Sequence, residues 1–291
     1  MSSAATVLYD HPGPKAKARN LIFSIIFGVL LVLLVLWVLD KLNSKGELTA
    51  KKWEPFTTSN VWSNFLLPGL GATIKAAVLS VIIALPIGAI LAVGRLSDHR
   101  WVRWPAAVVV EFFRAIPVLI LMVFAGEFYF QYTDVPSESR PLFAVVTALV
   151  LYNASVLAEI FRAGIRSLPH GQTEAAQAIG LRKTQMMVLI LLPQALTAML
   201  PAIVSQLVVV LKDTALGSIF VGYAELLRQA NNLTANFSNS VATYTVIAVL
   251  YISMNFILSM LASWLEKLMR SRRGGGKHVP RALDPELEVG A

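Results

Sequence analysis

The sequence predicts an all-α membrane protein with six transmembrane helices. Charged residues make up 14% of the 291-residue chain, against about 25% in an average soluble domain. Apolar residues make up 56% and are concentrated in long runs without charge. Since about 20 apolar residues are needed to cross the hydrocarbon core of a bilayer, runs of this length are typical of transmembrane helices.

The positions of the six spans follow from the lengths of the apolar runs. The first run, Leu21–Leu39, contains neither charge nor proline. It is too long for the apolar part of a signal peptide and no small-residue cleavage pattern follows it, so we interpret it as a retained helix. The other spans are predicted at Pro68–Gly94, Trp104–Gly126, Leu142–Phe161, Met186–Leu211 and Val241–Leu265. Simple kinks are expected at the prolines within or near these runs, Pro86, Pro117, Pro193 and Pro201.

These runs divide the chain into four parts. Residues 1–20 form a polar N-terminal tail, and residues 21–39 form an additional N-terminal helix. Residues 68–267 form the main transmembrane domain of five helices, and residues 271–291 form a C-terminal tail with three consecutive glycines. Both tails are expected to be flexible, because they are polar and lack apolar residues to bury.

The distribution of lysine and arginine predicts that both ends of the chain are cytoplasmic. With the N-terminus inside, the inner segments carry 16 of the 25 basic residues and the outer segments carry 7. The remaining two, Lys75 and Arg114, lie within spans. Inner loops of membrane proteins are enriched in basic residues, so this orientation is favoured. The net charge of +8 is then explained by an anionic membrane surface, and no nucleic-acid partner is expected.

Several classes of chemistry are excluded by missing residues and motifs. The chain has no cysteine, which excludes disulfides and cysteine-ligated metals. It has no phosphate-binding G-x-x-x-x-G-K-[ST] motif, no H-E-x-x-H motif and no G-x-S-x-G nucleophile elbow. We therefore expect that the chain is not an enzyme, binds no metal and binds no cofactor.

A short alanine-rich segment follows the fourth predicted span, on the predicted inner side. Residues Gln172–Ile179 favour a helix, Gly180 suits the position just after a helix end, and a second short helix can begin near Thr184. Glu174 is predicted in the first turn, where a carboxylate suits the helix dipole.

This alanine-rich helix is predicted to have a low surface that another protein can approach closely. The surface is formed by three alanines, Ala175, Ala176 and Ala178. The alternative is that the small residues pack against neighbouring helices of the same chain, as they commonly do in membrane proteins. The residues alone leave both interpretations open.

Charged residues inside predicted spans each need a reason, because burial of a charge in a bilayer costs about 2.5–3.5 kcal/mol on insertion scales. Glu111 and Arg114 are three residues apart, as are Glu159 and Arg162. Each pair is predicted to form an ion pair along one helix face. The alternative for Arg114 is that it lines a substrate pathway.

Four further polar residues are candidates for structural or pathway roles. Lys75 can extend its amine to the membrane surface. Lys212 and Asp213 end the fifth predicted span and either anchor it at the outer surface or line a pathway. Asn153 lies within the fourth predicted span and either bridges helices or lines the same pathway.

The alanine-rich segment resembles the EAA loop of ABC importer permeases at every fixed position, namely Glu174, Ala175, Ala176, Gly180, Ile190, Leu192 and Pro193. Other segments resemble the polar amino acid uptake branch of this family. They are EFFRAIPVLI (111–120), AEIFRAGIRSLPHGQTEAAQAIG (158–180) and LKDTAL (211–216). Departures from the usual residues occur at Ala115, Ile116, Ala163 and Ala215. The resemblance covers about residues 68–267, and the additional helix and the C-terminal tail are similar to actinobacterial glutamate permease subunits.

The resemblance implies a permease subunit that moves glutamate or a related polar amino acid across the cell membrane by alternating access. Its implied partners are a dimer of ATP-binding subunits that uses ATP and Mg²⁺, a second permease subunit, identical or different, an extracytoplasmic solute-binding protein and the lipid bilayer. The EAA helix, with Glu174, Ala175, Ala176 and Gly180, would couple ATP hydrolysis to the membrane helices. The alternatives are a secondary transporter driven by an ion gradient and an assembly component of a secretion system.

Overall fold

The computed structural model describes residues 13–271, except for the side chains of residues 265, 266 and 268–271. Residues 1–12 of the N-terminal tail and residues 272–291 of the predicted C-terminal tail, 271–291, therefore lie outside the described residues. Within the described range the chain is helical and contains no strand. The α-helices are α1 (Pro14–Ser44), α2 (Ala50–Trp53), α3 (Ser59–Val61), α4 (Leu67–Arg95), α5 (Arg100–Ala115), α6 (Val118–Gln131), α7 (Arg140–Arg166), α8 (His170–Ala178), α9 (Lys183–Met186), α10 (Leu192–Asp213), α11 (Leu216–Phe220), α12 (Leu226–Phe237) and α13 (Ser240–Ser271). A 3₁₀ turn at Glu54–Thr57 and π-helical turns at Trp62–Leu66 and Met187–Leu191 join some of them.

The all-α architecture predicted from the sequence is confirmed. Among residues 13–271, five helical stretches are long and apolar enough to cross a membrane, and the bent pair of α5 and α6 gives a sixth when it is counted as one span. The five stretches are Pro14–Ser44, Ser59–Arg95, Arg140–Arg166, Lys183–Phe220 and Ser240–Trp264. Each of the first four contains one of the predicted apolar runs, and the fifth contains all of Val241–Leu265 except its last residue.

The third predicted span, Trp104–Gly126, is not one continuous helix. It is divided between α5 and α6, whose axes are inclined by 98°. Ile116 is extended, with ψ of 128°, because the ring of Pro117 disfavours helical backbone at the residue before it. The simple kink expected at Pro117 is therefore a sharp break. With 16 and 14 residues, α5 and α6 are only about 24 and 21 Å long.

The close packing of α4 against α7 depends on small side chains. Every buried residue of α4 is small: Gly69, Thr73, Ala76, Ala77, Ser80, Ala84, Gly88 and Ala92. Apart from the adjacent pair Ala76 and Ala77, they recur at intervals of three or four residues, so they form one stripe along the helix. At Gly88 an added Cβ atom would lie 2.9 Å from the carbonyl oxygen of Ala154 and 2.9 Å from Cβ of Leu157. The two backbones therefore meet without room for a methyl group.

We expect Gly88→Ala to lower the free energy of unfolding by about 1–3 kcal/mol, because the methyl group would be forced against backbone atoms of α7. The matched control is Gly71→Ala in the same helix, where an added Cβ meets nothing within 4 Å. Thermal unfolding of the purified subunit in detergent measures both variants. Equal melting temperatures for the two would contradict the close approach.

The two ends of the helix bundle are built differently. At one end, here called the elbow end, α4 and α7 finish and α8 and α9 lead into α10. At the other end, here called the α12 end, the carboxylate of Glu225 is buried and caps α12 by accepting a hydrogen bond from N–H of Arg228 at 3.0 Å. The Tyr251 hydroxyl of α13 donates to the same carboxylate at 2.5 Å, and Oγ1 of Thr73 in α4 lies 3.4 Å from it. Glu225 therefore ties three helices together.

The first helix stands apart from this bundle. None of the residues of α1 is buried, and its apolar side chains from residue 21 to residue 39 are exposed on all sides. A helix that is apolar all round and does not pack on its own domain is suited to contact with lipid or with another membrane helix.

Candidate functional site

The alanine-rich segment forms a helical elbow between α7 and α10. It consists of α8, a turn at Gly180, and α9. N–H of Leu181 donates to the carbonyl of Ala176 at 3.1 Å, and N–H of Gly180 donates to the carbonyl of Gln177 at 2.9 Å. This is the hydrogen-bond pattern of a Schellman cap, and Gly180 has the positive φ, 77°, that the cap requires. The predicted position of Gly180 just after the helix end is confirmed.

Glu174 does not lie in the first turn of the helix, as the sequence indicated. The helix begins at His170 and not at Gln172, so Glu174 is its fifth residue. The dipole effect falls off within the first turn and does not account for a carboxylate at this position. The side chain of Glu174 is exposed and makes no ion pair or side-chain hydrogen bond within residues 13–271. It is free to meet another molecule.

Only two of the three alanines lie on the outer face of α8. Ala175 and Ala178 are exposed, but Ala176 has 1% of its surface exposed and packs with Met186 and Leu191. Each residue of a helix is rotated by about 100° from the last, so Ala176 points away from Glu174. The prediction that Ala176 contributes to the docking surface is therefore wrong.

The exposed surface of α8 includes Glu174, Ala175, Ala178 and the residue after the helix, Ile179, which is 73% exposed. We name this the outer face of the elbow.

Ala175 and Ala176 form a matched pair for testing this arrangement. We expect Ala176→Leu to destabilise the elbow by about 1–3 kcal/mol, because its site is already filled. Ala175→Leu should leave the melting temperature unchanged, since that side chain is exposed, but should weaken binding of a partner to the outer face. Thermal unfolding and co-purification of the partner separate the two effects. If Ala175→Leu lowers the melting temperature and Ala176→Leu does not, the assignment of Ala175 to the exposed face and Ala176 to the buried face is reversed.

The elbow is tied to the loop between α4 and α5 by one lysine. The amine of Lys183 lies 2.5 Å from Oδ1 of Asp98 and donates to the carbonyl of Leu96 at 3.2 Å. The hydrogen bond from Lys183 holds the pKa of Asp98 below its usual value of 3.8, so the carboxylate of Asp98 is ionised at neutral pH. A movement of α9 would therefore pull on the loop that precedes α5.

Both ion pairs predicted from the i, i+3 spacing are present, and one arginine joins them. Nη1 of Arg114 lies 3.6 Å from Oε2 of Glu111, and Nε of Arg162 donates to Oε2 of Glu159 at 3.0 Å. Nη1 of Arg95, the last residue of α4, lies 3.0 Å from each of the two glutamates. We name these five residues the Arg95 network. It connects α4, α5 and α7 at the elbow end.

Sequence reasoning did not identify Arg95, because an ion pair between separate helices leaves no spacing signal. From the sequence, Glu111 and Arg114 are predicted to be charges inside a transmembrane span, and the fold changes this interpretation. They lie on α5, which is bent away from the crossing direction of α6. They are therefore grouped with the end of α4 and need not be charges in the middle of a membrane.

The other candidate residues are placed as follows. Asn153 is fully buried, donates to the carbonyl of Leu149 at 2.8 Å and accepts from Nε2 of Gln206 at 2.6 Å. It therefore bridges α7 and α10. Lys212 is exposed at the end of α10, and Asp213 beside it is partly buried. Their roles in a substrate pathway, together with those of Asn153 and Arg114, stay predictions.

Comparison with known proteins places these features in a family. Residues 84–271 match the family described as the binding-protein-dependent transport system inner membrane component. The chain is 49% identical to the glutamate transport system permease protein GluD of Corynebacterium glutamicum over 85% of this chain and 92% of that protein. It is 32% identical to the glutamate/aspartate import permease protein GltK of Escherichia coli O6:H1, over 70% of this chain and 92% of that protein.

Solved structures have the same fold. The crystal structure of an amino acid ABC transporter with histidines superposes with a TM-score of 0.63 at 30% identity, covering 69% of this chain and 92% of that one. An inward-facing MetNI methionine ABC transporter superposes with a TM-score of 0.58 at 22% identity, over 73% of this chain and 99% of that one, and supports the fold alone.

These similarities decide between the functions considered for the sequence. The matched permeases are transport components and not enzymes, and in such systems the ATPase is a separate subunit. The matches are to ABC importer permeases and not to secondary transporters driven by ion gradients. The chain therefore belongs to the binding-protein-dependent inner-membrane component family, as the multi-pass permease subunit of an ABC importer for amino acids.

Proposed function

We propose that the transported amino acid is glutamate or a close relative. The observation that carries this proposal is the 49% identity to a named glutamate permease over 85% of the chain. The chain would open its pathway alternately to the two sides of the membrane while a separate subunit hydrolyses ATP with Mg²⁺. Residues 84–271, which match the family, include the elbow and most of the bundle that would form this pathway.

The elbow end would face the cytoplasm, and both termini would lie on that side. The positive-inside distribution of lysine and arginine supports this orientation. The outer face of the elbow would sit on a dimer of ATP-binding subunits, with Glu174 meeting a cation or amide of that partner. The α12 end would then receive an extracytoplasmic solute-binding protein. A second permease, identical or different, would complete the pathway, since one bundle of this size is too small to enclose it.

An acidic substrate needs cations along its route. Arg114 and Lys212 would contact its carboxylates, and Asp213 and Asn153 would lie beside the same route. Arg114 supports this role because its side chain is 37% exposed and its only ion pair within the described residues is the 3.6 Å contact with Glu111.

The function is tested by uptake of labelled glutamate into vesicles that hold this chain, its ATPase, its permease partner and its binding protein. We expect uptake that requires ATP and Mg²⁺ and is inhibited by aspartate more than by glutamine or arginine. If arginine inhibits uptake most strongly, glutamate is not the substrate, but the function as an ATP-driven amino acid importer is retained. Rapid uptake without ATP would contradict the proposal that transport is coupled to ATP hydrolysis.

The pathway cations make a separate prediction. We expect Arg114→Gln and Lys212→Gln each to raise the glutamate concentration for half-maximal uptake by about tenfold, because each removes a charge-assisted contact of about 1.5 kcal/mol or more. Lys75→Gln, an exposed lysine of α4, is the control and should leave uptake unchanged. Unchanged saturable uptake in both variants, at normal protein levels, would remove these residues from the pathway.

A further inference from the structure

A cavity rich in arginine lies at the elbow end, beside the Arg95 network. Its volume is about 720 Å³. Six of its lining residues are Arg95, Arg100, Arg103, Trp104, Arg162 and Arg166. The arginines come from the end of α4, the first turn of α5 and the end of α7, so three helices bring them together.

Three of these five arginines form no ion pair with an acidic side chain among residues 13–271, although Arg103 attracts the carboxylate of Asp98 at longer range. Arg95 and Arg162 are paired with the carboxylates of Glu111 and Glu159. Arg100, Arg103 and Arg166 make no ion pair and no side-chain hydrogen bond within residues 13–271 of the structure. Like charges gathered around one cavity repel each other, and an anion in the cavity would relieve that repulsion. Guanidinium groups are the side chains best suited to phosphate, because they donate two parallel hydrogen bonds.

The mouth of the cavity carries features of a membrane surface. Trp101 and Trp104 are 76% and 71% exposed on the same turn of α5 as Arg100 and Arg103. Tryptophan is enriched at the level of lipid headgroups. The next turns of α5 expose Val108 and Phe112, which would meet acyl chains. This helix also lies across the direction of α6, at 98°, as a helix in the membrane surface does.

We propose that this cavity binds the phosphate headgroup of an anionic phospholipid, drawn from the leaflet at the elbow end. The three unpaired arginines supply the charge for the phosphate, and the exposed tryptophans and apolar side chains of α5 hold the glycerol and the upper acyl chains. A soluble phosphate would use the arginines but would gain nothing from this apolar rim. The bound lipid links α5 to α7 and so supports the helix that leads into the elbow.

The test uses the assembled transporter in phosphatidylcholine nanodiscs with increasing amounts of brominated lipid, which quenches nearby tryptophan. The signal of Trp104 is the difference between the parent and Trp104→Phe. We expect brominated phosphatidylglycerol to quench it at about tenfold lower mole fraction than brominated phosphatidylcholine, because basic residues near the surface concentrate anionic lipid. Equal quenching by the two lipids would overturn the proposal.

Substitutions of the arginines test whether the cavity causes the preference for phosphatidylglycerol. Arg100→Gln/Arg103→Gln should remove the preference for phosphatidylglycerol, while Arg100→Lys/Arg103→Lys, which keeps both charges, should retain part of it. The matched control is Lys15→Gln/Lys17→Gln, which removes two cations of α1 that do not line the cavity. A preference that survives the glutamine variant would overturn the assignment. If millimolar inorganic phosphate or glutamate relieves the quenching, the ligand of the cavity is a soluble anion and not a lipid.

Discussion

Replacing Glu174 by lysine is expected to reduce ATP-driven uptake by about 100-fold, because reversal of a charge at a protein interface costs several kcal/mol. The side chain is exposed on the outer face of the elbow and has no ion pair within the described residues. Folding of the subunit therefore does not depend on it. The loss is expected to come from the contact with the ATP-binding subunit, so less of that subunit should co-purify with the variant.

The measurement is uptake into vesicles, with membrane insertion and thermal stability recorded for the same samples. Glu174→Gln should give an intermediate loss, since an amide keeps the shape and removes the charge. The control is Glu138→Lys, the same reversal at another exposed carboxylate that has no partner within residues 13–271. Parental uptake by Glu174→Lys, with the ATPase still bound, would rule out this carboxylate as a coupling contact.

The elbow was predictable because its signals are local. The helix formers of α8, the left-handed backbone at Gly180 and the restart near Thr184 are all decided within a few residues. The apolar runs likewise predicted six crossing helices, of which five are continuous stretches in the described residues, since burial in lipid depends on composition and length. Both kinds of signal can be read without knowing what lies beside the segment.

The features of the structure that the sequence did not predict depend on residues that are neighbours in space. Ala175 and Ala176 are alike in sequence, and only the packing of Met186 and Leu191 under α8 separates them. The bend between α5 and α6 has a local cause at Pro117. The hydropathy of a run, however, gives only its apolar length and not the direction of the helix axes within it. The rule that the residue before a proline is extended identifies the breakpoint. It does not give the angle.

The bridge that Arg95 makes between the two predicted ion pairs left no signal in the sequence, and its test concerns coupling. We expect Arg95→Gln to lower the free energy of unfolding by about 2 kcal/mol, because two glutamates lose their shared cation. The cost is below that of a fully buried pair, since the side chain of Glu111 is 60% exposed. Uptake should fall further than ATP hydrolysis does, because α7 leads into the elbow and its connection to α4 and α5 would be loosened.

The matched control is Arg19→Gln, which removes an exposed arginine of α1 that has no ion pair within the described residues. It should leave stability and uptake near parental values. Arg95→Lys should recover only part of the loss, because a single ammonium cannot reproduce the planar fork that bridges two carboxylates. If Arg95→Gln behaves like Arg19→Gln in both assays, the network is an incidental surface contact. If uptake falls and ATP hydrolysis continues, the connection between α4, α5 and α7 carries force from the elbow into the membrane helices.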